Sequence, residues 1–138
     1  MSALIDIEQI KKSAESSEMF GGKVERIGSP SIGDVVRQGD LYLVCVERIL
    51  GTATKQRQLA PGTTQGSRHV IVGNCKIVAK YGKTIANVPE ELIGPAFECV
   101  GECTCEHPEH GHKILPAETS WAVVYQRAYA DEIRPVQD

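Results

Sequence analysis

Aromatic residues make up only 5% of this 138-residue chain, and no basic residues are interleaved among the few rings to form the stacking groove of a single-strand binder. Excess positive charge is missing as well. The 15 basic and 18 acidic residues leave a formal net charge of −3, with no Lys or Arg stripe to neutralise several phosphates. Nucleic acid is therefore not expected as a main partner. No run approaches the roughly 20 apolar residues of a membrane span. The opening Met1-Ser2-Ala3-Leu4-Ile5-Asp6 has neither the basic nor the apolar region of a secretory signal, so a cytoplasmic protein without membrane contact is expected. A disulfide framework is also disfavoured, because the five cysteines are odd in number and three of them crowd into seven positions.

What is present is the composition of an ordinary globular chain, 41% hydrophobic and 24% charged, long enough for one core of its own. Asp6 and Gln9 can form a capping box, and Ile7, Ile10 and Ala14 follow at helical spacing until Gly21-Gly22. A helix is expected over residues 7–20, within an N-terminal arm of residues 1–22. From residue 23 to 138 the texture is β-rich. Short β-prone runs at Lys23 to Ile27, Asp34 to Arg37, Leu41 to Ile49, Arg68 to Val72, Cys75 to Lys80 and Trp121 to Tyr125 alternate with turn residues. Gly39-Asp40, Gly73-Asn74 and Tyr81-Gly82 supply tight turns, which makes Val70 to Val78 read as a hairpin. Leu41-Tyr42-Leu43-Val44-Cys45-Val46 reads as a strand buried on both faces, in which Cys45 is a small hydrophobe. Cys75 takes the same reading. Trp121 to Tyr125 is a central strand, and Lys55 to Gly66 is a polar surface loop. The fold class that follows is all-β, a small sandwich or barrel with a helical arm.

Chemistry concentrates in the expected loop 99–112. Cys99, Cys103, Cys105, His107, His110 and His112 place three thiols and three imidazoles within fourteen residues. Thiolate and neutral imidazole are the donors zinc prefers, and Gly101, Pro108 and Gly111 supply bends. The spacing C-x3-C-x-C-x-H-x2-H-x-H matches no named zinc motif. Two arrangements stay open. The three cysteines with His107 or His110 can close a structural site, or His69 can join His107 and His110 in an open, catalytic one. Glu106 and Glu109 then have three open roles: fourth ligand, acceptor behind a ligand, or general base.

Gln65-Gly66-Ser67-Arg68-His69-Val70, His107-Pro108-Glu109-His110, Leu115-Pro116 and Gln126-Arg127-Ala128-Tyr129, with Arg37-Gln38-Gly39-Asp40, carry a resemblance. In them the chain resembles a group of short bacterial and phage-genome proteins of uncharacterised activity. Their pattern runs G-H-x-H, then H-x2-H-x4-L-P-x-G, then Q-R-E-Y. Ser67, Glu118 and Ala128 depart from it, and the first departure removes a histidine. A histidine pair before a Leu-Pro turn is also loosely similar to cupin barrels, an analogy of fold only.

Two functions compete on these grounds. One is a metal-binding β domain, zinc being favoured, with the metal structural or weakly catalytic. The other is a non-enzymatic assembly module, such as a virion or shell component, using its arm and the 55–66 loop for contacts in a homo-oligomer or larger assembly.

Overall fold

A computed structural model describes residues 24–62 and 65–126. The helix expected over residues 7–20 and the arm that contains it lie outside them. The strands are β1 (Val24–Arg26), β2 (Val35–Gln38), β3 (Leu41–Val46), β4 (Ala53–Thr54), β5 (Val70–Val78), β6 (Ile93–Glu106), β7 (His112–Leu115) and β8 (Thr119–Tyr125). Single 3-10 turns at Gln65–Ser67 and Glu90–Leu92 are the helical elements among the described residues. The class is all-β, as the alternating runs predict. The strands form one curled sheet in the order β1-β7-β6-β8-β3-β2, with β5 and β4 joined through β6.

β6 organises this sheet. One edge pairs antiparallel with β5, from Val70 opposite Glu106 to Val78 opposite Ala96. The other edge pairs with β8 through Cys99 and with β7 from Cys103 onward. The sequence expects residues 99–112 to be a loop; instead Cys99 to Glu106 continues the strand. The reason is visible in its alternation, because Phe97, Cys99, Cys103 and Cys105 all point into the same buried cluster. Their thiols pack as small hydrophobes. Only residues 107–111 form the connection to β7.

Gly73-Asn74 also departs from expectation. The pair does not turn a hairpin but sits inside β5, where the register shifts between Gly73 and Cys75. Gly73 has φ +126°, and a Cβ there would lie 2.9 Å from the Glu102 carbonyl oxygen and 3.1 Å from Cys103 Sγ. Glycine chemistry suits a bulge as well as a turn. The long partner strand β6 decides which one forms.

The core behaves as the apolar runs indicate. β8 lies between β6 and β3, and Trp121, Ala122 and Val123 are fully buried on alternating faces. Trp121 and Val123 join Leu41, Leu43 and Phe97 in the larger cluster. Ala122 joins Val46, Ile49 and Tyr81 in a smaller one across the sheet. The 55–66 connection is less of a surface loop than its polarity suggests, because Leu59 and Ala60 enter the larger cluster. Tyr125 fixes them there by donating its hydroxyl hydrogen to the Leu59 carbonyl at 2.9 Å.

The bulge gives a contrast between two glycines. Gly73→Ala forces an L side chain into a positive φ and against backbone, and is expected to cost about 1–3 kcal/mol. Gly101→Ala, whose Cβ would meet only Asn74 Cβ at 3.7 Å, is expected to change stability by less than about 1 kcal/mol. Urea unfolding of the two variants checks the order.

Candidate functional site

Three consecutive residues at the tip of the β2–β3 hairpin build one wall of the site. Gln38 pairs with Leu41 across a two-residue turn, and Gly39 at φ +63° gives the left-handed first position that such turns favour. Arg37 Nε donates to the Gly39 carbonyl at 2.8 Å and steadies the turn. Strand alternation sends Gln38 inward, where it is 1% exposed.

The Gln38 amide is held from both sides. Its Nε2 donates to the carbonyls of Cys105 at 2.9 Å and Gly111 at 2.7 Å. Both partners are pure acceptors, so the amide orientation is fixed and Oε1 must accept. It does so from Cys105 Sγ at 3.1 Å and faces His69 Nδ1 at 2.8 Å. His69 therefore carries its proton on Nδ1.

The other ring nitrogen of His69, Nε2, lies 3.2 Å from Asp40 Oδ1. His69 is fully buried. Burial in the first place, then the neighbouring His107, pull its pKa down to about 4, against the opposing pull of Asp40. At neutral pH the ring is uncharged, and a lone pair on Nε2 faces a carboxylate oxygen. The two atoms stand at hydrogen-bond distance, a separation that a shared proton or a metal ion between them satisfies equally.

His107 continues the inward alternation of β6 and is also buried. Its Nδ1 accepts the backbone N–H groups of Glu109 and His110, both at 3.0 Å. With Nδ1 thus an acceptor, Nε2 carries the proton and donates to the Gly66 carbonyl at 3.0 Å. Burial lowers its pKa too. Both nitrogens are used in folding the 107–110 turn and tying it to residue 66. The backbone N–H of His107 in turn donates to His112 Nδ1 at 3.3 Å.

His110 is exposed. Its ring stacks on His107 with centroids 4.4 Å apart and lies 6.5 Å from the ring of His69. A Cβ on Gly39 would fall 2.3 Å from this ring, so glycine is required there for space as well as for the turn.

The expected ligands thus separate into groups. His69, His107 and His110 do come together, as the open arrangement anticipates. Cys105 touches this site through Gln38, with burial, then the charge of Glu106, pushing its thiol up to about 12. Cys99 and Cys103 lie earlier along β6, opposite Cys75 and Gly73 of β5. Glu106 pairs opposite Val70 and is exposed, as is Glu109. Among the described residues, no group of three or more His, Cys, Asp or Glu side chains converges as a ready-made metal site. Sequence reasoning missed Gln38 and Asp40. The available signal was a polar Gln38 in phase with the inward Val36, just before the buried strand β3.

The folded ring of His69 stays neutral down to about pH 4, while an unfolded histidine takes up its proton near ~6.5. Its contribution is therefore fully present above about pH 6.5 and lost as pH falls toward about 4, by up to roughly 3 kcal/mol. Urea midpoints of chelator-treated protein, measured across that window, are expected to fall with acid; a flat profile contradicts the assigned ring state. In comparisons with protein-family models, curated proteins and solved structures, the chain finds no match in any of the three.

Proposed function

We propose that this chain is a divalent-metal-binding β domain whose ion sits between His69 Nε2 and Asp40 at the hairpin tip, with zinc as the fitting ion. The observation that carries the proposal is the acceptor pair at 3.2 Å. Two donors bound about 2.0–2.2 Å from one zinc ion, at right to tetrahedral angles, stand about 2.8–3.6 Å apart. The fixed Nδ1 proton of His69 leaves Nε2 as the ligating atom, and Gln38 plays the orienting part that carboxylates and carbonyls play behind metal-bound histidines.

His110 supplies a third donor by rotating from its stack on His107. With three protein donors the ion keeps a place for water, the arrangement that suits hydrolytic or Lewis-acid chemistry rather than a closed staple. In this reading exposed Glu109, next to His110 in the chain, serves as general base. In this reading the cysteines and His107 hold the site's shape and bind no metal.

Zinc titration of chelator-stripped protein, followed by calorimetry, tests this. One equivalent is expected to bind. Asp40→Asn is expected to weaken binding by about 10-fold or more, and His110→Ala to weaken it too. Cys99→Ala and Cys103→Ala are expected to leave it unchanged. No binding, or binding that survives Asp40→Asn and fails in the cysteine variants, overturns the site.

A second reading, an assembly module, is favoured by the edge at β2, which pairs only with β3 among the described residues. Ile32 and Val35 are 60% and 56% exposed there, beside a cleft of about 470 Å³ lined by β1, β2 and the segment between them, including Glu25, Ile27 and Arg37. If this edge joins subunits, sedimentation shows an oligomer that Val35→Glu dissociates; a monomer at all concentrations removes the reading.

A further inference from the structure

The inward thiols of β6 that take no part in the histidine site meet a third sulfur. Cys75 opens the second half of β5 directly opposite Cys99. At the bulge β6 spends residues 100–102 where β5 spends only Asn74. This folds Cys103 back toward Cys75, and the side chain of Cys103 lies within interaction range of those of both Cys99 and Cys75. Cys103 Sγ also reaches the carbonyls of Asn74 and Gly101 at 3.4 Å each. All five cysteines are free thiols.

Access to the three sulfurs is unequal. Cys99 and Cys103 are buried, whereas Cys75 is half-buried, with Arg57 Nη1 3.6 Å from its sulfur. A small polar oxidant therefore reaches Cys75 first. Burial pushes the Cys103 thiol up to about 11, so it waits as a neutral thiol beside the exposed one. One reactive, accessible sulfur beside a resolving sulfur is the arrangement of a redox-responsive pair.

We infer that Cys75 and Cys103 form a peroxide-driven disulfide that ties β5 to β6 across the bulge. In the first step the Cys75 sulfur attacks one oxygen of hydrogen peroxide. The O–O bond breaks, water leaves, and Cys75 becomes a sulfenic acid, oxidised by two electrons. In the second step Cys103 sulfur attacks the Cys75 sulfur. The S–S bond forms, the S–O bond breaks, and the hydroxyl leaves as water with the Cys103 proton. Cys103 stands opposite Gly73, two residues before Cys75 on β5, and its sulfur lies 3.4 Å from the carbonyl of Asn74, the residue that precedes Cys75, so the bond runs diagonally across the bulge. Closing the chain between residues 75 and 103 also restricts the unfolded state, so the oxidised form is the more stable one.

The test uses the reduced, chelator-treated full chain. It is exposed to hydrogen peroxide while folded, then denatured, alkylated with a maleimide and mapped by mass spectrometry. Two thiols per chain are expected to escape alkylation, in one intramolecular Cys75–Cys103 cross-link, and the oxidised protein melts higher than the reduced one. Cys75→Ser is expected to slow thiol loss by about tenfold or more, and Cys99→Ser is expected to leave the cross-link in place. The wild-type map alone decides the matter if a variant folds poorly. An unchanged thiol count, a cross-link that omits Cys75 or Cys103, or linkage only between chains overturns the inference.

Discussion

One buried amide holds four parts of the molecule in register. Gln38 ends β2, its Nε2 donates to the carbonyl of Cys105 near the end of β6 and to the carbonyl of Gly111 before β7, and its Oε1 faces His69 ahead of β5. Leaving any one of these buried groups unpaired costs about 1–3 kcal/mol. Among the described residues no buried side-chain nitrogen or oxygen lacks a partner. The histidine cluster depends on this amide for its position and for its chemistry, because the same bond that locates His69 decides which nitrogen has the lone pair. The proposed metal site is thus a product of hairpin geometry rather than of ligand spacing along the chain.

β6 connects this site to the thiol cluster. Its inward residues change character along a single face: aromatic at Phe97, sulfur at Cys99, Cys103 and Cys105, imidazole at His107. Each of these side chains is buried, so the strand grades from dry core to polar site without changing alternation. The bulge at Gly73 marks where β6 exchanges β8 for β7 on its other edge. The charged contacts nearby, such as Arg26 with Glu102 and Lys113 with Glu25, are exposed on at least one side and add little stability.

Local pattern made β3, β8 and the Gly39-Asp40 turn readable, since apolar runs and turn chemistry are properties of neighbouring residues. The same logic misread two places. Cys99 to Glu106 contains Gly101, Thr104 and two glutamates, and its donors suggested a ligand loop; only pairing with β5, about thirty residues earlier, shows it as a strand. Gly73-Asn74 carries turn chemistry that a bulge uses equally well. The meeting of His69 with His107 and His110 was anticipated, but Gln38 and Asp40 were not. Their partners lie 31 and 29 positions away, beyond what any local period encodes.

The central place of β8 has a consequence for how the chain is made. β3 finds its neighbour at Thr119 to Tyr125, and β1 finds its neighbour at His112 to Ile114. A ribosome extends the chain by about 5–20 residues per second, so the β2–β3 hairpin emerges seconds before the strand that will bury Leu41 and Leu43. Throughout that interval the hairpin's apolar face is open to other nascent chains. The two-residue Gly39 turn lets the hairpin form early, and the docking of β8 is the step at which synthesis and folding must meet.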